Sequence, residues 1–533
     1  MLEISKLSIS IGTVCAVDDL SFSIEDGEVL ALIGESGSGK SMTALSIMRL
    51  LPEKAGYSAS SKISMRGVNL LELTDKQMRA VRGQDICMIF QDPMTCLNPV
   101  LTIGEQLLEV LKLQQNFVGR ENYIEALRLL DAVKISDAVR RFNCYPHELS
   151  GGMKQRVMIA MALAGKPSLL IADEPTTALD VTTQAEILKL MAELQRKQQM
   201  SMLLITHNLA IAAQMADRVA VMQAGKIVEQ NTSEKFFAGP KHPYSQKLLN
   251  SLPEMLKHTT SQSQHTETIL SVRALQVHFP IKKGLLRKTV GYIKAVDGID
   301  FILHTGETLA LVGESGCGKT TAGKALLSLV EGARGEVIYN KQNLLELSDK
   351  NWRPLRSDLQ IIFQDPFSSL NPKLMLINSL EEGLKLHNKA MLRIERLAKI
   401  DILLQQVGLK PEHKWRYPHE FSGGERQRLC IARALTVDPK IIICDEPTSS
   451  LDVSIQAQVL TLLQDLQQQH NLTYLFISHD LAVVSLLAHR LAVMYKGSIV
   501  EHGYTAEILA NPQHAYTKSL IAAVPKVTGK VKT

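Results

Sequence analysis

Residues Gly34–Ser41 read GESGSGKS, and Gly313–Thr320 read GESGCGKT. Both fit Gly-x-x-x-x-Gly-Lys-[Ser/Thr], a loop whose backbone N–H groups close around phosphate oxygens where side chains would block the approach. One such match arises by chance roughly 0.02 times in a chain this long at ordinary residue usage, so two copies in matching contexts are no accident. An apolar run precedes each copy, Glu28–Ile33 (EVLALI) and Glu307–Val312 (ETLALV), suited to a buried strand. Ser41 or Thr320 is then expected to open a helix. Lys40 and Lys319 are placed to reach the β and γ phosphates of a nucleotide, and Ser41 and Thr320 to hold Mg2+. The first cradle therefore comprises Gly34, Glu35, Ser36, Gly37, Ser38, Gly39, Lys40, Ser41 and Met42. The second comprises Gly313, Glu314, Ser315, Gly316, Cys317, Gly318, Lys319, Thr320 and Thr321.

Outward from these loops the two halves run in step. Lys319 follows Lys40 by 279 positions and Gln364 follows Gln91 by 273. Ser422, Glu446 and His479 follow Ser150, Glu174 and His207 by 272 each. A whole domain is duplicated, which suits 533 residues, more than one hydrophobic core normally supports. The expected organisation is a first domain over 1–253, a polar linker over 254–268 (EMLKHTTSQSQHTET) and a second domain over 269–533.

Composition narrows the class. With 45% hydrophobic and 21% charged residues the chain reads as a soluble α/β protein, and a net charge of +5 spread along it argues for no nucleic-acid partner. Seven cysteines without a C-x-x-C pair point to reduced, buried thiols and to neither a disulfide framework nor a zinc site. MLEISKLSIS lacks a charged leader followed by an apolar core, and no apolar stretch approaches the ~20 residues that span a bilayer. A cytoplasmic chain is expected.

Two further apolar runs end in paired carboxylates, Leu169–Glu174 (LLIADE) and Ile441–Glu446 (IIICDE). Asp173 and Asp445 suit the Mg2+ shell, and Glu174 and Glu446 are placed to polarise an attacking water.

The segments LSGGM (Leu149–Met153) and FSGGE (Phe421–Glu425) precede these carboxylates at a constant distance, Ser150 and Ser422 each lying 24 positions before the glutamate. In that placement they resemble the signature motif of ATP-binding cassette (ABC) ATPases. The resemblance covers roughly 1–253 and 269–525, and it implies two tandem P-loop NTPase domains, each a mixed-sheet core with an antiparallel β subdomain and a helical subdomain. It implies that Ser150, Gly151 and Gly152, and likewise Ser422, Gly423 and Gly424, grip the γ-phosphate held by the opposite domain in a head-to-tail pair. It also makes Gln91 and Gln364 (in IFQDP) glutamine-loop residues that sense Mg2+ and the membrane partner, and His207 and His479 switch histidines on the γ-phosphate. Asp180 (TALD) and Asp452 (SSLD) belong to the loop that crosses the pair. The adenine-stacking position falls on Ile11 in the first half and resembles Phe279 in the second, or Tyr292 if the local insertion is placed differently.

What such a motor drives separates three classes. DNA-repair cassettes resemble proteins with C-x-x-C insertions, which this chain lacks, and ribosome-acting fused cassettes have a long charged linker. Here the linker is short, and each half ends in Pro-x-His-x-Tyr-[Ser/Thr], within GPKHPYSQKLL (Gly239–Leu249) and NPQHAYTKSL (Asn511–Leu520). This looks like the C-terminal extension of dipeptide, oligopeptide and nickel importer ATPases. The fused length most resembles the Yej-type ATPases of microcin C and oligopeptide importers, with the fused ATPases of glutathione importers as the alternative. The resemblance implies ATP and Mg2+ as cofactors, two integral-membrane permease subunits and an extracytoplasmic substrate-binding protein as partners, and a peripheral location on the cytoplasmic face of the bacterial inner membrane.

Overall fold

Every residue of strand Thr308–Val312 is buried, and alternate side chains enter different cores. Leu309 and Leu311 pack with Ile441, Ile443, Leu475 and Ile477, whereas Ala310 and Val312 pack with Ile442, Cys444, Tyr474 and Phe476. Side chains of a strand alternate between faces, so a sheet covered on both sides is written as an unbroken apolar run. That is why ETLALV and IIIC carry no alternation.

The computed structural model describes residues 1–115, 119–177, 179–252, 267–283, 288–449, 451–525 and 527. Of the expected linker, 254–266 lie outside the described residues, and Thr268 already begins a strand. The chain divides into two compact units, one built on Met1–Asn250 and the other on Ser251–Val524.

In the first unit a six-stranded sheet runs Lys226–Thr232, Arg218–Gln223, Val29–Ile33, Ser201–Thr206, Leu169–Asp173, Ile86–Ile89, parallel except for Lys226–Thr232 at one edge. An antiparallel sheet centred on Leu2–Ile11 and Val14–Ile24 packs its apolar face on one side. Helices Ile103–Gln115, Arg120–Ala132 and Gly151–Leu163 form a separate helical region. The second unit repeats the same strand order, Ser498–Tyr504, Arg490–Tyr495, Thr308–Val312, Thr473–Ser478, Ile441–Asp445, Leu359–Ile362. Its antiparallel hairpin is longer, Thr268–Lys283 pairing with Lys288–His304 as far as Lys283 opposite Lys288. Both units are α/β with the expected subdomains.

Two local expectations shift. The helices after the phosphate loops are Lys40–Ile47 and Lys319–Leu326, beginning at the lysine and not one residue later, because Gly39 (φ 102) and Gly318 (φ 108) turn the chain as N-caps in a region L-residues avoid. The thiols are less uniformly buried than their apolar neighbours suggested. Cys87, Cys317, Cys430 and Cys444 are buried, but Cys15 and Cys96 are exposed and Cys144 is half-buried, since flanking apolar residues in a strand or short helix need not share a cysteine's face.

Candidate functional site

In parallel sheets the loops that follow the strands gather at one edge, and both units use that edge in the same way. Strand Leu169–Asp173 delivers Asp173, and Glu174 follows it in a left-handed conformation (φ 46) with its N–H donated to Ile205 O at 2.9 Å. A non-glycine residue there costs on the order of 1–3 kcal/mol and persists only where its surroundings fix it. The neighbouring strand Ser201–Thr206 delivers His207, whose Nδ1 lies 2.9 Å from Glu174 Oε1. Gln91 Nε2 and Thr177 Oγ1 both donate to Glu174 Oε2, at 2.9 and 3.0 Å. Ser41 Oγ donates to Asp173 Oδ1 at 3.2 Å, and Lys40 Nζ donates to Gly34 O (2.8 Å) and Glu35 O (2.9 Å).

The second unit repeats this cluster. Glu446 also has φ 46 and donates its N–H to Ile477 O at 2.9 Å. His479 Nδ1 stands 3.1 Å from Glu446 Oε1, and Gln364 Nε2 donates to Glu446 Oε2 at 2.9 Å. Thr320 Oγ1 donates to Asp445 Oδ1, and Lys319 Nζ to Gly313 O and Glu314 O, each at 2.8 Å. Two substitutions mark the second site. Ser449 turns its hydroxyl to the Glu446 carbonyl (3.1 Å) where Thr177 reaches a carboxylate, and Cys317 puts sulfur 3.8 Å from Lys319 Nζ where Ser38 puts oxygen at 3.4 Å.

The adjacent carboxylates are driven apart electrostatically. Burial pushes Asp173 and Asp445 above the ordinary carboxylate range, more than the Ser41 or Thr320 hydroxyl and the loop lysine pull them back. Burial also raises Glu174 and Glu446, but the histidine beside each, helped by the loop lysine and at Glu174 by the Thr177 hydroxyl, outweighs it and holds them below their ordinary value. Divergent environments for two neighbouring acids are what separate acid–base roles require.

The serine–glycine turns build helix starts. Ser150 caps Gly151–Leu163 by accepting from Met153 N–H at 3.3 Å. Ser422 caps Gly423–Leu435, and Glu425 Oε2 accepts in return from Ser422 N–H (2.9 Å) and Oγ–H (2.8 Å), a closed capping box that Met153 cannot form. Any Cβ on Gly152 or Gly424 would strike Thr183 or Ile455, so the second glycine of each turn is demanded by helix–helix approach. Asp180 caps helix Val181–Gln198, accepting from Thr183 N–H at 2.9 Å, and Asp452 stands at the N-cap position of Val453–His470 without a capping bond from its side chain, while Ala178 and Ser450 beside them lie outside the described residues. Phe279, 40% exposed, pairs with Ile293 in the long hairpin, at the place Ile11 holds opposite Val14 in the short one. Met42 packs its side chain against the apolar core of its unit, so only its backbone is left for the loop.

One pair of residues went unassigned in the sequence. Glu35 N–H donates to the hydroxyl oxygen of Tyr244 at 3.2 Å, and Glu314 N–H to that of Tyr516 at 2.9 Å. These are the tyrosines of the Pro-x-His-x-Tyr segments, and their twofold recurrence was the available signal.

Comparison with known proteins gives the family. The family model described as "ABC transporter" matches residues 17–177 and 296–449, and "Oligopeptide/dipeptide transporter, C-terminal region" matches 228–274 and 500–533. The chain is 50% identical to the glutathione import ATP-binding protein GsiA of Escherichia coli O157:H7 and 49% identical to that of strain K12, each over 96% of this chain and 87% of the relative. A dimeric structure of the ATP-binding cassette MJ0796 bound to ADP and Pi is 27% identical, covering 44% of this chain and 99% of that one with a TM-score of 0.40. Among the described residues no helix is long and apolar enough to cross a membrane. With two phosphate loops, two carboxylate–histidine pairs and two importer-type C-terminal regions on one chain, the protein belongs to the ABC transporter family, as an ATPase of its oligopeptide/dipeptide importer branch.

Proposed function

We propose that the chain hydrolyses ATP at two sites to drive uptake of a short peptide, glutathione first among the candidates. The observation that carries the enzymatic part is the duplicated cluster in which a half-buried glutamate, held ionised, meets a histidine and a glutamine at the end of a phosphate-loop sheet. Lys40 and Lys319 leave their backbone carbonyls to grip the β and γ phosphates. Glu174 and Glu446 orient an attacking water and accept its proton, and His207 and His479 hold the γ-phosphate and the glutamate in register. Each glutamate keeps lone pairs beyond those its histidine and glutamine occupy, and a water held there would be polarised.

The donor set fits Mg2+. A hydroxyl and one buried carboxylate in contact (Ser41 with Asp173, Thr320 with Asp445), and Gln91 or Gln364 in reach of the neighbouring glutamate, supply hard oxygen ligands, and the excess burial of the aspartates favours a cation beside them. When bound, Mg2+ neutralises charge developing on the β and γ phosphates.

Each nucleotide is shared between cassettes in this reading. Lys40, Glu174 and His207 act with Ser422, Gly423 and Gly424, and Lys319, Glu446 and His479 with Ser150, Gly151 and Gly152, while Asp180 and Asp452 border the crossing and Phe279 stacks on one adenine. The domains run 1–253 and 269–533 with 254–268 as the linker. The partners are two permease subunits, engaged at the cytoplasmic face of the inner membrane, and an external binding protein.

Relatives named for glutathione import, a tripeptide substrate, favour that cargo over the larger peptides of the Yej-type reading, and the oligopeptide/dipeptide C-terminal regions support the peptide class as a whole. The test is ATP-dependent uptake into proteoliposomes containing this chain and its co-purified membrane partners, with glutathione and with longer peptides on the binding protein. Glutathione transport with stimulated ATPase supports the reading. Transport of longer peptides alone moves the cargo to the Yej type, and recovery with ribosomes in place of membrane proteins ends the importer reading.

A further inference from the structure

The motif at the end of each unit has an internal logic that points back to the phosphate loop. The strand Lys226–Thr232 carries Glu229, whose carboxylate accepts the backbone N–H groups of Lys241 (2.8 Å) and His242 (3.0 Å). The strand Ser498–Tyr504 carries Glu501, which accepts those of Gln513 (2.7 Å) and His514 (3.0 Å) in the same way. His242 Nδ1 then accepts Tyr244 N–H, and His514 Nδ1 accepts Tyr516 N–H, both at 3.2 Å, at the first turns of helices Pro243–Asn250 and Ala515–Ala522. A carboxylate taking two amides and an imidazole capping the next leave each buried tyrosine a single seat. In that seat its hydroxyl oxygen receives the N–H of Glu35 or Glu314, across 209 and 202 residues of sequence.

The second residue of each loop is held at both of its backbone groups. The lysine amine donates to the carbonyl of Glu35 or Glu314, and the tyrosine accepts from its N–H. Once the lysine turns to a phosphate, the tyrosine still fixes the second residue of the loop. We infer that Tyr244 and Tyr516 are positioning residues for nucleotide binding, through which each C-terminal extension sets the geometry of the phosphate loop of its own unit. The second tyrosine is braced further, its ring centroid lying 4.3 Å from that of Tyr495, where the first unit has Gln223. The inference rests on the reading of these loops as ATP sites.

The test compares purified full-length chains. Tyr244→Phe with Tyr516→Phe keeps both rings and deletes the acceptors. It is expected to raise KM for ATP and Kd for ADP roughly fivefold, about one neutral hydrogen bond's worth, with kcat within about twofold of the parent and the thermal midpoint unchanged. Glu229→Gln with Glu501→Gln, which loosens the seat without touching the tyrosine, is expected to move KM in the same direction and decides the matter if the first variant folds poorly. Unchanged KM and Kd in the folded variants, or a loss of kcat in step with a lowered melting point, overturns the inference. Lys40→Ala with Lys319→Ala is the reference. If it abolishes nucleotide binding while the tyrosine variant binds normally, the positioning role alone fails, and if it leaves binding intact, the site reading and the inference fall together.

Discussion

Gln91 Nε2 lies 2.9 Å from Glu174 Oε2, and Gln364 Nε2 stands at the same 2.9 Å from Glu446 Oε2. An amide N–H facing a carboxylate stabilises its ionised form, whereas a second carboxylate in that place would oppose it. Gln91→Glu combined with Gln364→Glu should therefore raise the glutamates from their lowered position, and turnover should fall more at pH 6 than at pH 8. A pH–rate profile checks this, and a uniform drop at all pH values would separate the amide from the ionisation of Glu174.

Glu174→Gln with Glu446→Gln preserves shape and removes the proton acceptor. Phosphate release should fall by roughly 10²-fold or more, with ATP retained on the protein after gel filtration. Near-parental turnover would take both carboxylates out of the chemistry.

The Glu446–His479 pair gives a pH-dependent stability term. Burial alone lowers the His479 pKa, but the Glu446 carboxylate more than offsets it, so the folded value lies above the ordinary 6.5. Its contribution is therefore complete below pH 6.5 and is lost as pH rises through the folded value. Glu446 is shifted below its ordinary 4.5, so its share is present above that pH and is lost on acidification beneath it. Melting curves should show His479→Gln costing up to about 1 kcal/mol near pH 6 and much less at pH 9. Equal costs at the two pH values would argue for packing alone.

Glycines of the second loop differ in what confines them. At Gly318 (φ 108) a Cβ would run into the Ala295 carbonyl oxygen, whereas at Gly316 (φ 80) it would meet open space. Without nucleotide, Gly318→Ala should cost on the order of 3 kcal/mol and Gly316→Ala about 1, the strain of the left-handed backbone alone. Denaturant titration of the two variants should separate them, and equal losses would put the glycine requirement in φ only.

Much of this was legible because phosphate loops, carboxylate strands and signature turns are local: each combines a backbone demand with a residue type inside a few positions. EVLALI and LLIAD announce doubly covered strands, and the spacing of Lys40, Glu174 and His207 follows from strand order once both halves are aligned. Long-range hydrogen bonds were not legible. Nothing in the identity of Tyr244 says that its hydroxyl meets Glu35, because the contact depends on where strand Lys226–Thr232 releases the chain. Thr177 and Ser449 occupy equivalent positions with similar chemistry, yet only Thr177 reaches a carboxylate. The exposed Cys15 and Cys96 show the same limit, since composition of a neighbourhood does not fix the face on which one residue lands.

The strand Thr308–Val312 parts two cores residue by residue, Leu309 and Leu311 to one side and Ala310 and Val312 to the other. A single-residue insertion there would exchange both walls at once, so the length of this strand is locked. The phosphate loop beyond its end is confined as closely, since a Cβ on Gly313 would meet the Met494 carbonyl oxygen and one on Gly318 that of Ala295. The wall behind the phosphate loop can therefore absorb a change of side-chain size but not a change of residue count.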